Sequence, residues 1–300
     1  MSTPVHSSTR AEARVALVTC ADLAELEPDD QLIVEPLRAL GVEAVAEVWD
    51  APDVDWDAYD LAVLRSPWDY IGRRKEFVAW AHSVARLANP APVVEWNTDK
   101  RYLAELAAAG VPVIPTTFVG PGEVWSPPAS GGDYVIKPAV SAGSLDTGRY
   151  GPGHAAEASA HIGRLQADGR LVMVQPYLPA VDTYGETALL YFADPADGKL
   201  VFSHAIRKGP MLSGPYTGVP GLYKEEQIEP RVPTATELAV GDAVIAVLPE
   251  GLLYARVDLI PDEAGNPLLV EVELTEPSLF FGYDLDAPAR FAAAIRARLG

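Results

Sequence analysis

Residues 254–281 read YARVDLIPDEAGNPLLVEVELTEPSLFF. Two short apolar runs flank a turn marked by Pro261, Asp262, Gly265, Asn266 and Pro267, which is the pattern of a hairpin. Side chains alternate faces along a strand, so Arg256 and Asp258 share one face, and so do Glu271 and Glu273. Paired, the two strands bring three carboxylates and one guanidinium to one patch, while Val257, Leu259, Val270, Val272 and Leu274 face a core. Three carboxylates together repel one another unless something neutralises them. A hard cation does so, Mg²⁺ taking carboxylate oxygens at about 2.0–2.1 Å. The same alternation also fits a solvated hairpin face with acids outside and aliphatics inside.

Composition narrows the classes. The chain has 300 residues, 49% of them hydrophobic, enough for one large or two to three small domains. Its 42 acids against 23 bases give a net charge of −19, which argues against nucleic-acid or anionic-membrane partners. The single cysteine, Cys20, excludes a disulfide within the chain and fits a reducing, cytoplasmic home. No apolar run approaches the roughly 18 residues that span a bilayer. Residues 1–13 read as a disordered tail.

Strands at 14–19, 42–48 and 60–65 alternate with a helix over 29–40, in which Pro36 marks a kink or a late start. That alternation predicts a parallel sheet in an α/β domain. No glycine-rich fingerprint follows the first strand. The third strand runs out into LRSPWDY, residues 64–70, where Arg65, Ser66, Trp68, Asp69 and Tyr70 crowd the carboxyl edge. A substrate-binding loop and a Pro-kinked turn plugged by Trp68 both fit. The spacing then predicts a helix over 72–87 with Phe77, Trp80, Val84 and Leu87 inward, a short strand over 93–96, and a helix over 99–109 capped by Asn97 or Thr98. Lys100 in its first turn opposes the helix dipole unless an anion binds there.

Past a strand at 113–118, Lys137 ends a buried strand, and a loop of small residues follows: Ser141, Ala142, Gly143, Ser144, Thr147, Gly148. Such a loop can fold its N–H groups around phosphate oxygens, but the lysine precedes it, unlike a P-loop. A helix over 155–168, strands at 171–177, 187–192 and 200–206, and Arg207-Lys208 come next. Residues 209–221, rich in Gly and Pro, read as a lid. A helix over 234–248 precedes the hairpin, and one over 287–299 closes the chain.

In this order the marks resemble the ATP-grasp superfamily of carboxylate–amine ligases, across nearly the whole chain. They are Lys100 before "GVPVIPT" (110–116), the "VIKP" lysine with its loop, "VQPYL" (174–178), the Gly185-Glu186 pair, Arg207-Lys208, and "RVD" with "VEVEL" (256–258 and 270–274). The sequence is similar to the glutathione-synthetase branch. "LRSPWDY" and "WNTDKRYLAELAAAGVPVIPT" are similar to a bacterial group of cyclo-ligases acting on O-ureido-serine in cycloserine biosynthesis. The resemblance implies a mixed α/β (α+β) chain. A parallel-sheet domain over 14–97 precedes an ATP-grasp domain of two α+β subdomains, 98–178 and 179–300.

It also implies roles. Lys100 and Lys137 bind ATP phosphates, the loop with Ser141, Gly143 and Ser144 covers them, and Gln175, Tyr177 and Leu178 line the adenine pocket. Asp182 takes the ribose hydroxyls. Asp258, Glu271 and Glu273 hold one or two Mg²⁺, with Mn²⁺ as a substitute, although the family usually has asparagine where Glu273 stands. Arg256 meets the oxyanion, and Arg207 and Lys208 clamp the transferring group. The implied reaction is ADP-forming ligation of a small amino-acid-like substrate through an acyl phosphate, in a homo-oligomer. Arg65 would hold the substrate carboxylate, beside Ser66, Trp68, Asp69 and Tyr70. A non-catalytic nucleotide-binding module and a kinase stopping at the phosphorylated substrate stand beside it.

Overall fold

Apolar runs bounded by turn residues fold here into three sheets, and helices cover them. The structure, a computed structural model, describes residues 13–128, 131–218 and 227–300. Of the expected tail, residues 1–12 lie outside the described residues, and Ala13 opens the first strand. The first sheet is built from β1 (Ala13–Thr19), β2 (Val42–Val48), β3 (Leu61–Ser66) and β4 (Leu87–Ala88). Its order is β2-β1-β3-β4 and every pairing is parallel. Two of its connections are helical, through α1 (Val34–Ala39) and α2 (Arg74–Ser83). Pro36 lies in the first turn of α1, where its missing N–H costs nothing, so the helix starts late.

Next come α3 (Ala91–Asn97) and α4 (Tyr102–Ala108), then β5 (Thr117–Val119), β6 (Tyr134–Pro138), β7 (Gly148–Tyr150), α5 (Ala155–Ala167) and β8 (Val172–Pro176). These strands form an antiparallel sheet of order β5-β8-β6-β7. Helix α5 packs on it through Ala158, Ile162 and Leu165. The third sheet, also antiparallel, has the order β11-β10-β9-β12-β13. It contains β9 (Glu186–Ala193), β10 (Leu200–Lys208), β11 (Ile228–Pro230), β12 (Tyr254–Pro261) and β13 (Pro267–Glu273). Helix α6 (Ala235–Ile245) is closed by a capping box between Thr234 and Glu237. The last helix, α7 (Ala287–Ala297), returns to α1.

The first and third sheets share one core. Val15, Leu17 and Ile33 pack with Leu190, Phe192, Phe281, Phe291 and Ile295. The opposite face of the third sheet packs Leu189, Val257, Leu259 and Leu269 against Tyr102, Leu106 and Val244. No helix among the described residues is long and apolar enough to cross a membrane.

Three sequence expectations fail here. Residues 93–96 are not a strand but the middle of α3. Pro92 lies in its first turn, where proline is tolerated, and Val93, Val94 and Asn97 are buried on one helical face. Leu87 is not helical, because α2 stops at Ser83 and Leu87 pairs with Ala62. Neither Asn97 nor Thr98 caps α4, whose first residue is Tyr102. Asn97 instead donates to Val272 O at 2.8 Å and accepts from Leu274 N at 2.7 Å. Strand β13 lies at the edge of its sheet, so its outer backbone groups need partners. Asn97, the Tyr102 hydroxyl to Val272 O, and Ile114 N to Leu269 O supply them. Lys100 therefore precedes α4, and the dipole argument does not apply to it.

Arg65 holds the shared core in place and does not face a substrate. It is fully buried. Its Nε lies 3.2 Å from Asp30, its Nη2 donates to Pro277 O at 2.6 Å, and its guanidinium stacks over Tyr254 and Phe291. Removing one partner of a buried pair leaves the other charge stranded, at about 3–5 kcal/mol. Arg65→Ala is expected to lower the unfolding free energy by about that amount. Urea denaturation checks it, as a drop in the transition midpoint.

Candidate active site

Strands β12 and β13 pair in the register that sets Asp258 opposite Glu271 and Arg256 opposite Glu273. A bulge follows, with Leu259 opposite Leu269, so Val270 is the extra residue of β13. It therefore borders a cavity instead of the core that alternation assigned to it. Oxygens of Asp258, Glu271 and Glu273 lie within 4.8 Å of one another.

Three cations keep these acids from repelling one another apart. Arg256 donates to Asp258 at 2.9 Å, to Glu273 as a second partner, and to Ser278 O. Lys208 joins Asp258 at 2.8 Å to Glu186 at 2.7 Å. Lys100 lies 3.2 Å from Glu271 and donates to Ser141 O at 2.6 Å. Burial works against ionisation of Glu271, but Lys100, Lys137, Lys208 and Arg256 hold its carboxyl well below the usual range. Burial also opposes charge on Asp258, where Arg256 and Lys208 win and depress it. At Glu273 burial wins, helped by Glu271 and Asp258 and opposed by Arg256, and its carboxyl rises well above the usual range.

The cations, with Glu271 and Glu273 of the trio, border one cavity of about 400 Å³ among the three sheets. Lys100, Lys137, Lys208, Arg256, Glu271 and Glu273 line its charged part. Burial lowers the Lys137 ammonium, so this cation favours an anionic neighbour. Ser141, Gly143 and Ser144 line the cavity from the loop after β6. Gly143, Ser144 and Asp146 all take positive φ, which lets the loop curl its backbone around a small anion. Gln175, Tyr177 and Leu178 line the cavity after β8. Gln175 is fixed by its amide to the Thr116 hydroxyl at 2.8 Å.

Seven residues from the sequence reading do not line this cavity, and Arg65 is one of them. Ser66 is buried against the Thr19 hydroxyl at 3.0 Å, and Asp69 accepts from Trp49 Nε1 at 2.8 Å. Asp182 accepts from the Tyr177 hydroxyl and from Arg149 at 3.3 Å. Arg207 donates to Tyr184 O at 2.6 Å and to Thr183 O. Neighbours on a strand face opposite ways, so Lys208 enters the cavity and Arg207 leaves it. Asp258 is fully buried behind the lining. From LRSPWDY only Trp68 lines the wall, while Tyr70 sits behind it.

The structure also adds residues. Glu186 lines the cavity where Asp182 does not, and burial pushes its carboxyl up to about 7, against the pull of Lys208. The signal was Gly185, at φ +81°, where a Cβ would meet Lys208 O at 2.6 Å. That glycine lets the chain pass close to β10 and aim Glu186 inward. Glu27, Glu276 and Phe280 line the cavity with Trp68. Met211 and Leu212 enter from the segment read as a lid, of which 219–221 lie outside the described residues.

The carboxylate trio fits a hard divalent cation in oxygen number and spacing. Both Asp258 oxygens already accept from Arg256 or Lys208. Glu271 and Glu273, which border the cavity, are the more open members.

Residues 15–89 match the family described as D-cycloserine synthetase DcsG, N-terminal domain. The chain is 39% identical over 302 residues to the cycloserine biosynthesis protein DcsG of Streptomyces lavendulae, covering 95% of this chain and 98% of that one. A crystal structure of D-cycloserine synthetase DcsG superposes with a TM-score of 0.83 at 38% identity, over 96% of this chain and 100% of that one. D-alanyl-alanine synthetase A of Vibrio cholerae shares the fold, with a TM-score of 0.67 at 14% identity over 97% and 98% of the two chains.

A cation at the trio stabilises the fold by mass action. At ten times its dissociation constant the gain is about 1.4 kcal/mol, or roughly 2–4 °C in Tm. Mg²⁺ or Mn²⁺ is expected to raise the Tm of the wild type by that much and to leave that of Glu271→Gln unmoved. Differential scanning calorimetry over a cation series reads both.

Proposed function

Because this chain belongs to the family of the cycloserine biosynthesis protein DcsG and has the fold of ATP-grasp ligases, we propose that it activates the carboxylate of O-ureido-D-serine and closes that molecule into a ring. It is an ATP-dependent ligase, as its family is. One observation carries the finer reading. A single cavity of about 400 Å³ brings two half-buried lysines and a small-residue loop against a carboxylate trio, with a guanidinium beside the trio.

The chain's residues divide the work. Lys100 and Lys137 bind the phosphates of ATP, and the loop with Ser141, Gly143 and Ser144 covers them with backbone N–H groups. Gln175, Tyr177 and Leu178 hold the adenine, and Glu186 replaces Asp182 as the partner of the ribose hydroxyls. Asp258, Glu271 and Glu273 would hold Mg²⁺, which supplies charge neutralisation between phosphate oxygens. Lys208 orients the transferring phosphoryl group.

In the first step a substrate carboxylate oxygen attacks the γ-phosphorus, and ADP leaves. The ureido nitrogen bonded to oxygen then attacks the acyl carbon, phosphate leaves, and a five-membered ring closes. Water then cleaves the bond between the ring nitrogen and the carbamoyl carbon, its proton going to the nitrogen and its hydroxyl to the carbon, and the carbamic acid released breaks down to carbon dioxide and ammonia. Arg256 stabilises the oxyanion between these events, a role whose loss typically costs about 10²–10³ in rate. The cavity wall keeps other water from the acyl phosphate.

The test is ADP and phosphate release with Mg²⁺, ATP and O-ureido-D-serine, with mass spectrometry of the product. One ADP and one phosphate per cyclic product are expected. Phosphorylated substrate without free phosphate would mark a kinase, and bound ATP with no release a nucleotide-binding module. Two variants sharpen the assignment. Arg256→Ala is expected to lower kcat by about 10²–10³, and Lys137→Ala to raise the KM for ATP by about tenfold with a smaller change in the KM for the amino acid. Steady-state kinetics on each substrate separates them.

A further inference from the structure

Glu276 lies three residues beyond the trio and lines the cavity with Trp68, Ser278 and Phe280. It is 8% exposed. Two aromatic side chains from the first sheet's exit loop fix it. Trp68 Nε1 donates to its backbone carbonyl at 3.0 Å, and the Tyr70 hydroxyl donates to its Oε1 at 2.5 Å. Among the described residues no donor reaches its Oε2. Tyr70 is almost wholly buried, so this anchor cannot swing away.

A carboxylate this buried needs more than one neutral donor. Three of the cavity's cations already have acidic partners among the described residues. Lys100 serves Glu271 and Ser141 O, Arg256 serves Asp258 and Glu273, and Lys208 bridges Glu186 and Asp258. A divalent ion has its oxygen set in the trio, which does not include Glu276. Burial raises the Glu276 carboxyl against the pull of Tyr70, Lys100 and Arg256, so a cationic ligand at its open oxygen would favour the charged form. A primary ammonium is such a ligand, a compact cation with three donors, and Glu27 on the same cavity wall adds a second acid.

We infer that Glu276, oriented by Tyr70, pairs with the α-ammonium group of the amino-acid substrate and sets the enzyme's preference for α-amino acids over their deamino counterparts. This rests on the ligase reading above and names the group of that substrate which is recognised. It also explains the LRSPWDY stretch. Its arginine holds the core, and its tryptophan and tyrosine aim an acid belonging to a different sheet.

The experiment compares O-ureido-D-serine with the same molecule bearing hydrogen in place of the α-ammonium group. ADP release is followed for the wild type, Glu276→Gln and Tyr70→Phe. The wild type is expected to prefer the amino substrate. Glu276→Gln is expected to lower kcat/KM for it by about 10–100-fold, the size of a lost charged hydrogen bond, with the KM for ATP within about twofold. Its preference over the deamino analogue collapses. Tyr70→Phe, which keeps volume and removes only the hydroxyl, is expected to raise the KM for the amino substrate by roughly tenfold with kcat little changed. A structural role alone would not move one KM and spare the other. A wild type indifferent to the ammonium group overturns the inference and leaves the ligase reading standing, and this arm needs no variant to fold. A Glu276→Gln enzyme that loses both substrates equally, or keeps its preference, also overturns it. Should the wild type release no ADP with O-ureido-D-serine, the substrate reading falls. Calorimetric titration of D-alanine against propionate then scores Glu276 separately: selective D-alanine binding lost in Glu276→Gln supports it, and equal binding overturns it.

Discussion

Like charges buried together must be neutralised, and that constraint shapes the centre of this protein. The β12–β13 register places Asp258 against Glu271 and Arg256 against Glu273. Three carboxylates within 4.8 Å would force the hairpin open without cations at matching depth. Each cation arrives from a different part of the chain. Arg256 comes from β12 itself, Lys208 from the end of β10, and Lys100 from the turn before α4. The cavity lies among three sheets because three separate segments are needed to balance its charge.

Such a centre adds little to stability, since burying ions costs about as much as their attraction returns. The apolar cores carry that load. The largest is shared between the first and third sheets, where Phe192, Phe281 and Phe291 meet Val15, Leu17 and Ile33. Polar side chains then fix how the parts sit. Asn89 donates to Tyr254 O and Leu274 O and accepts from Leu253 N. Asn97 and Tyr102 close the open edge of β13. Arg65 joins Asp30 to Pro277 O. These are contacts to backbone across long sequence separations, so they hold the hairpin to the first domain without depending on side-chain identity in the hairpin.

The charge pattern along the cavity is the chemical outcome of that scaffold. Lysines, the small-residue loop and the acids Glu27 and Glu276 line one cavity. A substrate that is anionic at one end and cationic at the other is oriented by this field before any specific contact forms.

The amino-acid sequence by itself determined what local rules can reach. Apolar alternation and turn residues located the hairpin, with Arg256, Asp258, Glu271 and Glu273 gathered on one face of the paired strands. Strand and helix alternation announced the parallel sheet. Helical periodicity found α5, α6 and α7 to within a few residues. What only the tertiary structure decided was which way each polar side chain looks. Arg65 and Trp68 stand three residues apart in one loop, yet one is sealed in the core and the other walls the cavity. Asp182 and Glu186 are both acids after β8, and only Gly185's close approach to Lys208 O aims the second inward. Val270 faces the cavity because a bulge interrupts the alternation that put it in the core. Residues 93–96 became helix because α3 must deliver Asn97 to the edge of β13. Glu276 was invisible as a site residue, for its significance comes from Trp68 and Tyr70, more than 200 positions earlier. Local propensity acts over a few residues, whereas the direction of a buried polar group is set by whichever distant segment satisfies it.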